Sequence, residues 1–209
     1  DAKNPEMVHP AEYRDVHRKE IFIPQVNGFN VYKADLHTHT MYSDGQVLPK
    51  YRIREAWQDG LDIIAVTEHV EYRPVEEDLV KYLDKYTDKK RKEAVNHRII
   101  SEAATKDGIM VDLNTAVQIS QKLAKSYGLT VIPGLEITRD ANEIGHFNAL
   151  FTTDNNLVYD PDPYQAILNA KAQNAIIQHN HPGWKRTKLG FSEWQKKVYG
   201  EGLVDGVEV

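Results

Sequence analysis

The sequence predicts an α/β fold with a mainly parallel sheet, and three observations support this prediction. Short apolar runs alternate along most of the chain with segments of helical length. Histidines and carboxylates follow several of the apolar runs, at the ends where parallel sheets gather their binding sites. The chain has 209 residues, which is the size of one domain with a substantial core.

The elements are predicted in the following order. Residues 1–20 are polar and contain two prolines, so they are expected to form an N-terminal arm before one domain over residues 21–209. The predicted strands cover residues 21–23, 31–37, 61–66, 129–134, 146–151, 175–179 and 204–209. Asn27-Gly28 is a turn signal between the first two. The predicted helices cover residues 49–59, 163–173 and 192–199, and Pro49 and Gly60 bound the first one.

Residues 75–127 form a long and highly charged segment that is predicted to be a mostly helical insertion. Its lysines and arginines alternate with acidic residues. Two interpretations remain open at this point. The charges either form the solvated face of a surface helix, or they form a rim that draws an anionic substrate toward the site.

Composition excludes several classes of function. A formal net charge of −5 disfavours binding to long nucleic acids. The chain has no cysteine, so a metal has to be bound by His, Asp or Glu. No dinucleotide-binding or P-loop signature is present. No apolar run approaches the roughly 20 residues of a membrane span. The chain starts with Asp1 and shows no signal peptide, so we expect a soluble protein, either cytoplasmic or exported with its signal peptide removed.

The segment Asp35–Gly45 contains the most informative motif. His37 and His39 are two residues apart at the end of an apolar run, and Asp44 follows five residues later. Residues i and i+2 of a strand point to the same face, so the two imidazoles can converge on one point. Two imidazoles and a carboxylate suit Zn, Mn or Fe.

Further candidate ligands follow other predicted strands. A single histidine is explained equally well as an ordinary hydrogen-bonded residue, but burying so many polar groups together requires a common partner. Most of them lie at the ends of strands, whereas His146 opens its strand. The candidate metal ligands are His37, His39, Asp44, His69, Glu136, His146 and His181.

These motifs occur in an order that resembles a known family. From residue 33 to residue 209 the chain is similar to the PHP (polymerase and histidinol phosphatase) family. The motifs are His37-x-His39-x4-Asp44-Gly45, Thr67-Glu68-His69, Pro133-Gly134-Leu-Glu136, Gly145-His146 and His181-Pro182. The resemblance implies a distorted seven-stranded β/α barrel with two or three divalent metal ions. It also implies a phosphoesterase acting on a small anionic substrate such as a nucleotide or a sugar phosphate.

The resemblance also assigns a role to each ligand. His37, His39 and Glu136 would hold a first metal. Glu136 would bridge to a second metal, which His146 and His181 also hold. Asp44 and His69 would hold a third metal.

The chain differs from the family pattern at two motifs. The family has a late Asp-x-His motif, but no histidine follows Asp205, the only aspartate near a late strand. We therefore expect that C-terminal strands are missing from this chain and that residues beyond 209 supply this motif. Glu68 stands where the family more often has Asp.

The predicted chemistry is attack on phosphorus by a water that the metals have activated to hydroxide. His179 either donates a proton to the leaving group or supports His181. Each of Arg139, Lys185 and Arg186 lies just beyond a metal-site motif and is predicted to bind phosphate. Trp184 either stacks on the substrate or packs against the rim of the site.

Two alternative functions remain open on the same fold. One is a metal-dependent hydrolase that cleaves another kind of bond, and the other is a non-catalytic domain that binds a metal or a ligand. The exact substrate and the oligomeric state are not predicted by the sequence.

Overall fold

A computed structural model describes residues 17–73 and 112–209. In this part of the chain, one curled six-stranded sheet forms a half-barrel with four α-helices. The strands are β1 (Ala34–Asp35), β2 (Ile63–Val66), β3 (Thr130–Thr138), β4 (His146–Leu150), β5 (Ile176–Asn180) and β6 (Gly206–Val207). The helices are α1 (Pro49–Gln58), α2 (Thr115–Ala124), α3 (Pro163–Lys171) and α4 (Glu193–Gly200), and short 3-10 turns cover Lys125–Tyr127 and Asn155–Leu157.

The strands lie in the sheet in the order in which they occur in the chain. Strands β1, β2 and β3 are parallel, β4 is antiparallel to both of its neighbours, and β5 and β6 are again parallel. The reversal of β4 explains why His146 opens its strand. In the register of the sheet, His146 pairs with Thr138 at the end of β3 and with Asn180 at the end of β5. Its side chain therefore reaches the same rim as the residues that follow the parallel strands.

Helices cover the outer face of the sheet in two groups. Ile53 of α1 and Val117 of α2 pack with Ile64 and Val66 of β2. On the other half, Ile167 of α3 packs against the outward side chains of β3, β4 and β5. Fully burying a side chain of this size contributes about 1.5–3 kcal/mol, so these contacts hold the helices on the sheet.

Helices α3 and α4 begin at residues suited to a helix start. Asp162 precedes Pro163 of α3 and accepts a hydrogen bond from the Tyr164 backbone N–H. Ser192 and Gln195 form a capping box at the start of α4. These polar groups satisfy backbone donors that a helix leaves unpaired at its first turn.

The inner face of the sheet has an apolar floor and a polar upper layer. Ala65, Ile132 and Leu150 are buried together at the floor. Above them, Glu136 and Asn148 are paired across β3 and β4, and both are completely buried. Side chains alternate between the two faces of each strand, so the same strands carry an apolar outer layer and this polar inner layer.

The structure differs from the sequence prediction near the N-terminus. Residues 21–23 are exposed and form no strand, and the predicted strand 31–37 is reduced to the two residues of β1. Val26 and Phe29 form only an isolated bridge around the Asn27-Gly28 turn. Residues 21–23 do not pair with a strand of the described sheet. Their β-branched composition alone therefore does not produce a strand here.

Several predictions fall partly or wholly outside the described residues. The arm at 1–20 is described only from residue 17, and the insertion at 75–127 is described only from residue 112, where α2 lies. The seventh strand and the C-terminal strands expected beyond residue 209 remain predictions. In residues 17–73 and 112–209, no helix is both long enough and apolar enough to cross a bilayer.

Candidate metal centre

The seven predicted ligands lie together at one rim of the half-barrel, and Glu208 joins them. Within the described ranges, four overlapping groups place their ligand atoms within 4.8 Å of one another. The groups are His37, His39 and Glu136; His39, Asp44 and His69; Glu136, His146 and His181; and His37, His181 and Glu208. The structure thus brings together residues from the ends of five strands and from the start of β4.

Glu136 lies at the centre of the cluster and is completely buried. Its two oxygens face five imidazoles. The nitrogen–oxygen distances are 2.6 Å to His69 Nδ1, 3.3 Å to His146 Nδ1, 3.4 Å to His39 Nε2, 3.5 Å to His181 Nε2 and 3.6 Å to His37 Nε2. Glu136 belongs to two of the four groups, which is the position that a bridging ligand would occupy.

The electrostatics keep Glu136 and His39 in the protonation states that bind metals. Burial alone would raise the pKa of Glu136, but the close contacts with His146, His181 and the other surrounding histidines outweigh burial and lower it well below its usual range. Burial and the neighbouring His69 lower the pKa of His39 to about 4. At neutral pH the centre therefore contains an ionised carboxylate and a neutral imidazole, both of which have free lone pairs.

Unpaired buried atoms show that the cluster fits a cation. Among the described residues, Glu136 Oε2, His39 Nδ1 and His146 Nδ1 are buried and have no neighbour in hydrogen-bonding geometry, although Glu136 Oε2 lies 2.6 Å from His69 Nδ1. His37 Nε2 and His39 Nε2 also lie only 3.0 Å apart. An unsatisfied buried polar group costs about 1–3 kcal/mol, and several of them around one carboxylate need a shared partner. Imidazole and carboxylate donors in this arrangement suit Zn, Mn or Fe.

The loop that carries Asp44 is held by a buried glutamate. Glu68 is 2% exposed and accepts hydrogen bonds from the Thr40 backbone N–H at 3.0 Å, the Thr40 hydroxyl at 2.5 Å and the Ser43 hydroxyl at 2.5 Å. Asp44 Oδ2 then lies 3.3 Å from His69 Nε2. Glu68, which departs from the family pattern, therefore orders the loop and is not itself in one of the four ligand groups.

Two glycines allow the chain to turn beside the ligands. A Cβ on Gly45 would lie 2.7 Å from backbone atoms of His39 and Thr40. Gly145 has a φ of +98°, and a Cβ there would lie 2.8 Å from His179 Nε2. Only glycine adopts this conformation and this close approach without strain, which explains the glycines in the Asp44-Gly45 and Gly145-His146 motifs.

Two asparagines below the cluster were not identified from the sequence. Asn180 Nδ2 donates to Glu136 Oε1 and to Asn148 Oδ1, both at 2.9 Å. Asn148 Nδ2 donates to the carbonyl oxygen of Leu36, at 3.1 Å. The network orients Glu136 and ties it to the residue before His37. The period of two was the available signal, because Asn148 lies on the same face of β4 as His146.

The position of His179 corrects its predicted role as a proton donor. His179 pairs with Phe147 across β4 and β5, on the outer face of the sheet, and its ring stacks on Phe147 with centroids 4.5 Å apart. Its Nδ1 lies 2.9 Å from the Tyr199 hydroxyl. Burial lowers its pKa to about 4, so its imidazole favours the neutral form at neutral pH and is a weak proton donor. Neighbouring strand residues face opposite sides, which places His179 away from Glu136.

The three predicted phosphate-binding residues have different surroundings. Arg139 forms an ion pair with Glu71 and donates to the backbone oxygen of Asp160 at 2.9 Å, so the prediction for Arg139 conflicts with its contacts. Arg186 donates to the backbone oxygen of Gly190 in its own loop. Lys185 is exposed, and its Nζ lies 4.2 Å from the centroid of the Trp184 ring. Lys185 is therefore the best placed of the three.

Two exposed aromatic residues flank the cluster. The Trp184 ring lies 5.3 Å from the ring of His146 and 5.4 Å from the ring of His181, and 47% of the residue is exposed. Tyr72, which was not identified from the sequence, lies 5.6 Å from the ring of His69 and is 54% exposed. Aromatic rings at these positions can contact a substrate bound over the cluster.

Comparison with known proteins shows the family of this chain. The family model of the PHP domain matches residues 35–204. The chain belongs to the PHP domain family. No curated protein matches the chain significantly.

Two solved structures are similar to the chain. A two-domain protein from Bacteroides vulgatus, described as containing a predicted PHP-like metal-dependent phosphoesterase, is 34% identical with a TM-score of 0.70. The match covers 92% of this chain and 48% of that protein, so this chain spans about half of its length. A protein from Bifidobacterium adolescentis, assigned by prediction as a metal-dependent phosphoesterase, has 14% identity and a TM-score of 0.52 over 86% of this chain and 77% of that one. The second likeness supports the fold alone.

Proposed function

We propose that this PHP domain is a metal-dependent phosphoesterase that hydrolyses a small anionic phosphate ester of the nucleotide or sugar phosphate type. The observation that carries the proposal is the buried Glu136, which is surrounded by imidazoles and has an oxygen without a hydrogen-bond partner among the described residues. The family and the descriptions of the two similar structures support the same class of reaction.

The cluster has the donors for two or three divalent ions. Glu136 with His37 and His39 would hold one ion, and Glu136 with His146 and His181 would hold another. A third group, which could hold a third ion, consists of His39, Asp44 and His69. When bound, such ions neutralise charge on the phosphate and lower the pKa of water.

Neighbouring residues orient His69 and Glu136 within this cluster. Thr138 Oγ1 and Glu136 Oε2 both lie 2.6 Å from His69 Nδ1. If Nδ1 carries the proton, the lone pair of Nε2 faces Asp44. Asn180 donates to Glu136 Oε1, whereas Oε2 has no neighbour in hydrogen-bonding geometry among the described residues. The ligands are therefore ordered before a metal binds, which reduces the entropic cost of binding.

The rim offers two kinds of contact to a substrate. Lys185 places a positive charge beside Trp184 and would attract the phosphate group. The exposed rings of Trp184 and Tyr72 would contact the organic part of the ester. The net charge of −5 favours a small anion over a long polyanion, because a long nucleic acid needs an extended basic surface.

Two measurements on the same preparation, with Mn, Zn or Fe supplied, test the proposal. They are the metal content of the protein and its hydrolysis of p-nitrophenyl phosphate. We expect about two or more metal equivalents and turnover that a chelator abolishes. Glu136→Gln should lose both metal and turnover while the chain stays folded. The matched control is Glu193→Gln, because Glu193 is exposed and forms an ion pair with Lys196, three positions further along α4. Full turnover in Glu136→Gln would refute the bridging role.

A further inference from the structure

Glu208 follows β6, at the edge of the sheet, and its backbone N–H donates to the backbone oxygen of His179 at 2.9 Å. Its side chain is about one-third exposed, at 32%. The pairing of Val207 with His179 places β6 beside β5. Glu208 therefore reaches the rim of the site from a strand that carries none of the seven predicted ligands.

The carboxylate of Glu208 contacts two of the predicted ligands at once. Its oxygens lie 3.1 Å and 3.2 Å from His37 Nδ1. One of them, Oε2, also accepts a hydrogen bond from the backbone N–H of His181, at 2.9 Å. One carboxylate therefore connects the end of β1 to the loop after β5.

The first contact determines which nitrogen of His37 is free to bind a metal. His37 Nε2 faces His39 and Glu136, and Nδ1 faces Glu208. A carboxylate at Nδ1 favours the tautomer that carries its proton there, and the lone pair then lies on Nε2. The same contact raises the basicity of Nε2 and limits rotation of the ring.

The second contact holds a strained backbone. His181 has a φ of +26°, in the left-handed region that favours glycine. A residue with a side chain in such a conformation costs on the order of 1–3 kcal/mol, and surrounding contacts have to maintain it. The hydrogen bond from the His181 N–H to Glu208 is one such contact, and it orients the side chain toward Glu136.

Another acidic residue on the same segment has a different function. Asp205 accepts hydrogen bonds from the Ile177 N–H at 2.7 Å and from Lys171 Nζ at 2.8 Å, so it ties the segment before β6 to β5 and α3. Asp205 lies outside the four ligand groups found in the described ranges. Of the two late carboxylates, Glu208 is the one that faces the centre.

We propose that Glu208 is a positioning residue of the metal centre, which fixes the tautomer of His37 and the backbone of His181 together. The proposal rests on the proposed function, because it requires that the cluster binds metal. Glu208 acts through the two histidines and not as a ligand.

The Zn²⁺ affinity of the whole chain tests this proposal. The metal-free protein competes with a chromogenic chelator for Zn²⁺, and the competition gives the affinity. Losing such a partner typically costs about 10- to 100-fold in metal affinity, and we expect a loss in this range for Glu208→Ala. Glu208→Gln should lose less, because its amide oxygen still accepts a hydrogen bond from His37. Glu193→Gln, an exposed glutamate outside the site, should bind as the wild type does.

A second readout is independent of metal. The ¹⁵N spectrum of the metal-free protein reports the tautomer of His37, which His37→Gln identifies by the loss of its signals. We expect the Nδ1–H form in the wild type and a mixture of tautomers in Glu208→Ala. Where Glu208→Ala proves too unstable to study, Glu208→Gln provides both measurements.

The outcomes separate the two proposals. A wild-type protein that binds no metal refutes the proposed function and the positioning role with it. A wild type that binds metal, with unchanged affinity and tautomer in the Glu208 variants, refutes the positioning role alone. Loss of a whole metal equivalent at unchanged affinity for the rest would show that Glu208 is a direct ligand, which also contradicts the proposal.

Discussion

The inner and outer faces of strands β3, β4 and β5 use the same backbone in opposite ways. On the outer face, Ile137 pairs with Phe147 in a layer covered by α3 and α4. On the inner face, Glu136 pairs with Asn148 and lies at the centre of the candidate metal cluster. The strands alternate side chains between the two faces, so adjacent residues belong to different environments. The position of a residue in this alternation decides its role more than its chemical type does.

The two buried histidines of this region illustrate the point. His179 on the outer face has Phe147 against its ring and the Tyr199 hydroxyl at its Nδ1. His146 on the inner face is also buried, but its Nδ1 has no hydrogen-bond partner in the described part of the chain. The outer imidazole is satisfied by its protein neighbours, whereas the inner imidazole leaves a ring nitrogen that a cation would satisfy. Four predictions test this contrast.

The largest effect is expected from a cavity in the outer layer. Ile167 of α3 is completely buried there, and Ile167→Ala should lower the free energy of unfolding by about 2–5 kcal/mol. The metal affinity of the folded protein should stay unchanged, because the cavity lies on the other face of the sheet. Urea unfolding and chelator competition, both at low temperature, measure the two quantities. A parallel fall in metal affinity would show that the two faces are not independent.

The next effect is expected from metal binding at the inner face. A metal supplied at a hundred times its dissociation constant should stabilise the folded protein by about 2.7 kcal/mol. The shift in the unfolding midpoint should disappear in Glu136→Gln. It should persist in Ile167→Ala, whose midpoint without metal is lower than that of the wild type. Calorimetry with and without a chelator measures this shift. An equal shift in Glu136→Gln would show that the stabilising metal binds elsewhere.

A smaller effect concerns the pH dependence of stability. Burial lowers the pKa of His179 from its ordinary value of 6.5 to about 4. Between these values the unfolded chain binds a proton that the folded chain does not, so this residue makes stability fall as the pH decreases from 6.5 toward 4. His179→Gln lacks this contribution and should lose less stability over that interval.

Urea unfolding of the metal-free protein at about pH 7 and about pH 5 measures the difference. His179→Gln should also keep most of the hydrolytic activity, whereas His146→Gln should lose it. Equal pH dependence in wild type and His179→Gln would contradict the buried, neutral state of His179. Loss of turnover in His179→Gln at full metal content would restore the catalytic role first predicted for it.

The smallest effect is expected at the rim. Trp184→Ala should raise the KM for p-nitrophenyl phosphate by about 2- to 10-fold, because an aromatic contact contributes about 0.5–1.5 kcal/mol. Trp184→Phe should restore most of the affinity, and a phosphate ester without a ring should respond less to either change. An equal rise in KM for both esters would indicate that Trp184 packs the rim and does not contact the substrate ring.

Much of this arrangement is visible in the sequence. Pro49 and Gly60 bound the first helix as predicted to within two residues, and the strands near 63–66, 146–150 and 176–180 follow the apolar runs. All seven predicted ligands lie in the four groups of the cluster, although their roles toward a metal remain predictions. Local spacing was informative because His37 and His39, two residues apart just beyond β1, both face Glu136.

The remaining features depend on contacts between distant parts of the chain. Glu208 meets His37 across 171 residues, and the direction of β4, which explains the position of His146, appears only in the pairing of strands. The face on which His179 lies was decided by the same pairing.

By itself, the sequence of this PHP domain determined the α/β class, the positions of most elements and the set of candidate ligands. Propensity, turn chemistry and the period of two act over a few residues and can be read from the chain. The tertiary structure alone decided the reversed strand, the orphaned atoms around Glu136 and the carboxylate that joins His37 to His181. These depend on sheet register, and register is set by packing between segments that are far apart in sequence.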